Sequence, residues 1–409
     1  MASTGSKVAR ILLAAIIALL CLNLLKPFFR DMTLAHFALP SSAAPPDLEF
    51  QIPTKLPGRV VPVGERHPIS RHLAEYTRIG KMIDGSLVAA FGCEDENEAD
   101  VRAMCWSRSA DVGLTWTDGS EVIRASNQTT DLDNASILQL PSGRILYAYR
   151  HHDRLGNDPH IPLVDAQWQY TYFRLEVAAS DDGGKTWSHL STIEEQEEDG
   201  LWEPLFRLAD DGSIQVYYTH ETSPSEQNNF MKFSRSEGRT WSKPIQVSGA
   251  GVRSRDGMVG VTSLGGGELV AVFEESAEGP LSISAVKSHD DGKTWPPSSR
   301  VKLHRPRVGV HPWPIASAPS VTNVGGTLIV AFQTDEDLPP PEANSRLGMI
   351  LKIITSVDGG NTWGEAQSIP DFPRILWPMM ATINDTHFLM VFNVGYRNGG
   401  FAQMFMITE

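Results

Sequence analysis

Cysteine is scarce: the 409-residue chain holds three, Cys21, Cys93 and Cys105. That excludes a disulfide-built scaffold and a cysteine-based zinc site. Cys21 lies in an apolar N-terminal run, leaving Cys93 and Cys105, read equally as a pair in an oxidising compartment or as two buried thiols. Basic charge is also short. Thirty-five Lys and Arg stand against 49 Asp and Glu, a net charge of −14. Such a surface repels phosphate backbones, so no nucleic-acid partner is expected. His151, His152 and Asp153 are adjacent and would diverge on a strand, so neither a metal nor another cofactor is expected.

Long apolar runs are missing too, except one. Ile11–Leu25 reads ILLAAIIALLCLNLL, flanked by Lys7, Arg10, Lys26 and Arg30. A basic flank before a short apolar core is the pattern of a secretory signal, or of an uncleaved signal-anchor in a type II membrane protein. Residues 1–30 are assigned to that segment and 31–55, with Pro45 and Pro46, to a spacer. Residues 56–409 form the body, expected outside the cytoplasm as a monomer. Sequons at Asn127, Asn134 and Asn384 agree with export.

Repetition dominates the body. A turn followed by an apolar alternation ending on an aromatic recurs six times: DGSLVAAF (84–91), SGRILYAY (142–149), DGSIQVYY (211–218), GGELVAVF (266–273), GGTLIVAF (325–332) and DTHFLMVF (385–392). Each reads as the second strand of a hairpin. A second phrase follows five of them: SADVGLTW (109–116), SDDGGKTW (180–187), SRSEGRTW (234–241), SHDDGKTW (288–295) and SVDGGNTW (356–363). Its Ser and Asp bond the turn backbone, its Gly takes positive φ, and its Trp wedges between layers. The third copy has Ser236 in place of Asp, so its turn should be weaker. Repeated units of about four strands predict an all-β fold, a six-bladed β-propeller of four-stranded antiparallel blades. The sixth unit lacks the second phrase, so a strand near Val60–His67 is expected to complete it and close the ring.

The S-x-D-x-G-x-T-W phrase resembles the Asp box of the sialidase superfamily, whose members are six-bladed propellers and carry the box away from the active site. Asp111, Asp182, Asp290 and Asp358 are accordingly structural. DLDNASILQLPSGRILYAYRHHDR (131–154), GLWEPLF (200–206), SRDGMVGV (254–261) and LVAVFEES (269–276) resemble glycoside hydrolase family 93. That resemblance implies a secreted exo-acting enzyme releasing a disaccharide from α-1,5-L-arabinan with retention. It also implies a glutamate pair from neighbouring blades, matched here by Glu203 and Glu274.

In a propeller, the openings of the inner strands and the residues just past the closing aromatics ring one mouth. Those positions hold Arg78, Asp133, Asn134, Arg150, Trp202, Glu203, Arg255, Asp256, Glu274 and Trp313, a set of charges, amides and indoles suited to a polysaccharide or oligosaccharide. Glycoside hydrolysis needs two carboxyl groups flanking the bond. Glu203, partly desolvated by Trp202 and Pro204, is read as acid/base and Glu274 as nucleophile, with Glu275 its competitor because only one of the two points inward. Arg150 and His152 match the family's R-x-H-D phrase and are read as ligands; Arg255 and Asp256 are ligands or a structural pair. Asn134, at the rim, is expected to stay unglycosylated. The long insert after Tyr149 is expected to wall off the site. Two other readings are carried: an exo-α-sialidase using Arg78 and Tyr396, since YTRIG (76–80) weakly resembles that family's first-arginine phrase, and a non-catalytic glycan-binding propeller.

Overall fold

The computed structural model describes residues 58–71, 73–94, 102–126, 129–154, 170–310, 312–339, 348–395 and 398–408. The expected signal segment, most of the insert after Tyr149, Asn127 and Tyr396 lie outside them. The described residues open with β1 (Arg59–Pro68). Blade I is β2 (Ala74–Lys81), β3 (Leu87–Glu94), β4 (Arg102–Ser109) and β5 (Ser120–Arg124). Blade II is β6 (Thr130–Gln139), β7 (Ile145–Arg154), β8 (Tyr170–Ser180) and β9 (Ser188–Gln196). Blade III is β10 (Leu201–Leu208), β11 (Ile214–Ser223), β12 (Glu226–Ser234) and β13 (Ile245–Gln246). Blade IV is β14 (Gly257–Gly265), β15 (Glu268–Glu275), β16 (Ser282–Ser288) and β17 (Val301–His304). Blade V is β18 (Ala316–Val324), β19 (Thr327–Thr334), β20 (Ile350–Ser356) and β21 (Gln367–Ser368). Blade VI is β22 (Ile375–Thr382), β23 (His387–Val394) and β24 (Gly400–Thr408), completed by β1.

Every blade is a four-stranded antiparallel sheet, and the inner strands touch in the closed sequence β2, β6, β10, β14, β18, β22 and back to β2. In blade VI, β1 pairs with β24, Val60 facing Ile407 and Pro68 facing Phe401. Strands from both ends of the chain thus close one sheet, which ties the ring shut.

The core is divided among the blade junctions. Each of six apolar clusters draws residues from two adjacent blades, such as Val88, Ala90 and Trp106 of blade I against Ile137, Tyr147 and Tyr149 of blade II. The closing aromatics Phe91, Tyr149, Tyr218, Phe273, Phe332 and Phe392 are all fully buried. Burying a side chain of that size supplies about 1.5–3 kcal/mol. Cys93 and Cys105 form a disulfide between β3 and β4, Cα–Cα 5.8 Å.

The five Asp boxes lie between third and fourth strands, at the face opposite the one where inner strands begin. In blade II, Asp182 accepts from the backbone N–H and the hydroxyl of Thr186 (2.9 and 2.6 Å), and Ser180 Oγ accepts from Gly184 N–H (2.8 Å). A Cβ on Gly184, at φ 86°, would overlap the Trp106 ring of the preceding blade. Backbone freedom and close approach therefore both require glycine there. In the third box Ser236 Oγ replaces the carboxylate, meeting Thr240 N–H at 2.9 Å and Thr240 Oγ1 at 2.8 Å.

One feature of the inner strands has no clear mark in the sequence. All six carry a bulge near their beginning, and each bulge holds a non-glycine residue in the left-handed region: Tyr76, Asn134, Glu203, Met258, Ala318 and Trp377, with φ between 45° and 54°. Such residues are uncommon and costly singly. Their recurrence makes the strain part of the architecture, re-aiming one side chain per blade around the axis. Pro204, Pro319 and Pro378 follow three of them, where no ladder N–H is needed.

Candidate functional site

The face where inner strands begin and second strands end is the mouth, and Glu203 sits there on the bulge of β10. It is half-buried and lines an axial pocket with Tyr76, Arg78, Met258 and the prolines that follow the bulges. Burial and the charge of Glu274 raise its carboxyl to about 8, against opposing effects of Arg150, Arg78 and the Thr219 hydroxyl. At neutral pH this group therefore keeps its proton in most molecules.

Glu274 is the last residue but one of β15, in register with Gly257 at the start of β14. Its Oε2 accepts the Ala318 N–H at 2.8 Å. Burial raises its carboxyl too, opposed by that N–H and by Arg255. The next residue alternates to the other side: Glu275 is 1% exposed and ion-paired with Arg300 (3.3 Å) and Lys302. Of the two adjacent carboxylates, Glu274 is the one whose charge acts on Glu203, and Glu275 is held among cations.

The remaining expected ligands divide. Arg78 lines the axial pocket, its guanidinium 3.6 Å from the Tyr76 ring centroid and donating to the carbonyls of Thr77 and Trp377. Asp133 is half-buried and accepts from Asn134 N–H (2.8 Å) and Arg102 (3.2 Å). Asn134, itself a bulge residue, is 6% exposed, which leaves its sequon no room for a glycan. Arg150 is buried and bound to Asp131 at 2.7 Å, with its guanidinium 5.1 Å from the Trp202 ring. Trp202 is half-buried, its indole N–H on Glu221 at 3.1 Å. Arg255 bonds Glu221, Gln227 (2.8 Å) and the Pro224 carbonyl (3.1 Å). Arg150, Trp202 and Arg255 are thus already engaged in holding the rim.

Two expected ligands do not face the mouth. His152 is fully buried in an edge-on aromatic cluster with Tyr170, Phe173 and Trp202, and its Nε2 meets the Leu201 carbonyl at 2.9 Å. Blade III covers the side of β7 from which it projects. Asp256 is likewise fully buried, gripped in two bonds by Arg300 at 2.6 and 3.0 Å. The expected Arg255–Asp256 pair does not form: Asp256 is held by Arg300 and Arg255 by Glu221. Trp313 is 78% exposed on the loop leading into β18. Among the described residues no group of three His, Cys, Asp or Glu is placed to hold a metal.

Sequence reasoning missed Tyr76, Met258 and Ala318 as mouth residues. The only signal available was the proline after Ala318, together with the placement of these residues at the start of a repeat.

No protein-family model matches the chain, and no curated protein sequence does. Solved structures do. A protein of unknown function from Dyadobacter fermentans superposes with a TM-score of 0.64 at 17% identity, covering 86% of this chain and 100% of that one. The α-L-arabinanase of Penicillium chrysogenum, complexed with arabinobiose, gives 0.57 at 19% identity over 86% and 98%. A Hadza microbial sialidase gives 0.58 at 17% over 84% and 68%. The chain is a six-bladed propeller of the kind shared by family 93 glycoside hydrolases and sialidases. At these identities the likeness establishes the fold and goes no further.

Proposed function

We propose that the chain is a retaining, exo-acting glycoside hydrolase that releases a disaccharide from α-1,5-linked L-arabinan, with Glu203 as acid/base and Glu274 as nucleophile. The observation carrying this reading is the pair of carboxyl groups from adjacent blades at one mouth. Glu203 holds its proton up to about pH 8. That is what protonating a leaving oxygen at neutral pH requires. Glu274, pinned through one oxygen by Ala318, keeps the other for the anomeric carbon.

The charges around the mouth favour a neutral sugar over an acidic one. Arg150, Arg255 and Arg300 each already pair with a carboxylate of the protein. At these three a sialic carboxylate would have to break such pairs, each costly to open in a partly buried setting, which leaves Arg78, bonded to carbonyls, as a single arginine for it. The solved structures with arabinobiose bound in the same fold support the neutral reading by analogy. Export, with the body outside the cytoplasm, is proposed from the N-terminal apolar segment and agrees with the disulfide.

The test is product analysis after incubation with linear α-1,5-arabinan and, separately, sialyl-lactose. A single arabinose disaccharide, lost in Glu203→Gln and Glu274→Gln, is expected. Free sialic acid would move the assignment to a sialidase. Arabinan binding without product would make the chain a binding propeller.

A further inference from the structure

We propose that Tyr76 is a positioning residue: its side chain crosses the propeller axis beneath the mouth and acts as an end stop that sets how deep a glycan terminus descends beside Glu203. The proposal rests on the glycan-site reading of the mouth. Its geometric basis is independent of that reading.

Around the ring, β2 and β14 are three steps apart in either direction. Tyr76 and Met258, bulge residues on those strands, therefore face each other across the axis. The Tyr76 hydroxyl reaches Met258 Sδ at 3.8 Å. A contact between opposite blades requires a side chain lying through the axis. The other bulge residues do not block it this way: Ala318 and Asn134 are short, and Trp377 stands alongside, its ring centroid 5.6 Å from that of Tyr76.

The ring is braced, not merely placed. Arg78 lies two residues further along β2, away from the mouth. Its guanidinium sits over the ring at 3.6 Å, where the quadrupole attracts a cation. Carbonyl bonds to Thr77 (3.1 Å) and Trp377 (3.2 Å) fix the guanidinium in turn. A thioether is a weak acceptor, so packing and not the hydroxyl holds Tyr76 across the axis. Leu205, Val259, Pro319 and Met379 line the same pocket further from the mouth. The ring is one wall of that pocket and narrows it, and without the ring the space beside Glu203 would widen toward those residues and Ser320. A terminal sugar would then slip past the point where its glycosidic oxygen meets the acid.

The experiment compares the full chain with Tyr76→Phe, which keeps the ring, and Tyr76→Ala, which removes it; Tyr76→Leu replaces the latter if it does not fold. On linear α-1,5-arabinan, Tyr76→Phe should match the wild type within about threefold. Tyr76→Ala should lose about a hundredfold in kcat/KM, mostly through kcat, and yield longer products, as displacement of the reacting bond implies. The second readout needs no activity. A hole the size of the lost ring, with the Arg78 guanidinium over one face to stack on an aromatic guest, should bind p-cresol at about millimolar affinity in Tyr76→Ala by titration NMR, and not in the wild type or Tyr76→Phe. No cresol binding, or unchanged products and kcat/KM in Tyr76→Ala, would overturn the end stop. A wild type inactive on arabinan would overturn the function reading instead, and cresol would then decide whether the ring fills the axis.

Discussion

Ala318 and Glu274 join two blades through one hydrogen bond, the Ala318 N–H donating to Glu274 Oε2 at 2.8 Å. The next junction repeats it with an amide: Trp377 N–H donates to Gln333 Oε1 at 2.6 Å. At the junction after that, Asn393 Oδ1 accepts from Thr77 N–H at 3.5 Å. An amide therefore suffices to hold the neighbouring bulge. A carboxyl at 274 brings burial costs that an amide avoids, and chemistry at the mouth is what would retain it.

Separating the two roles is direct. Glu274→Gln should keep the Ala318 bond and leave thermal stability within about 0.5 kcal/mol, while glycan hydrolysis falls by at least about 10³-fold. Glu274→Ala should lose both, with about 1–3 kcal/mol of added destabilisation from the unpaired N–H. Calorimetry and initial rates on the two variants check this. Equal stability losses in both would remove the structural half of the account.

Glu203 makes stability depend on pH. Its folded-state value of about 8 lies above the free-carboxyl value of 4.5. Between those values the folded chain holds a proton that the unfolded chain has released. Its contribution is fully present below about pH 4.5 and is lost as pH rises through 8. Glu203→Gln should therefore melt like the wild type at pH 4.5 and higher than it at pH 9. In the active enzyme, the alkaline limb of kcat/KM should fall near pH 8, and the variant should lose about 10²–10⁴-fold in activity. Melting curves across that range read the sign unambiguously.

The third Asp box offers a gain. Ser236 presents one oxygen to Thr240 where Asp182 presents two to Thr186. Ser236→Asp should stabilise the propeller by about 0.5–1.5 kcal/mol without changing activity, since the boxes lie opposite the mouth. Denaturant midpoints of the variant and wild type compare the two turns.

The disulfide closes a 12-residue separation in blade I. Cys93→Ser with Cys105→Ser should cost about 2–4 kcal/mol. Adding reductant should shift the wild type by the same amount and leave the double variant unmoved.

The propeller was readable because its signals are local. Turn, alternation, closing aromatic and Asp box each lie within eight residues, and six copies at similar spacing left few other arrangements. Even the strand completing blade VI could be inferred from the missing box. The residues past the closing aromatics lie where second strands end on the mouth face, but Thr219, Gln333 and Asn393 among them are buried. Depth was harder to read. His152, read as a ligand from the family phrase, is covered by blade III, and Asp256 is claimed by Arg300, distant in sequence. The bulges were invisible because non-glycine residues at positive φ have no compositional signature. For the same reason Tyr76 read as part of a strand, and not as a side chain reaching the opposite blade.

The most direct measurement is a proton NMR time course of linear α-1,5-arabinan digested by wild type, Glu203→Gln and Glu274→Gln. The account predicts one disaccharide from the wild type, appearing first as the α anomer, and no new anomeric signal from either variant. Products that persist in Glu203→Gln, or a folded wild type that leaves arabinan untouched, would contradict it.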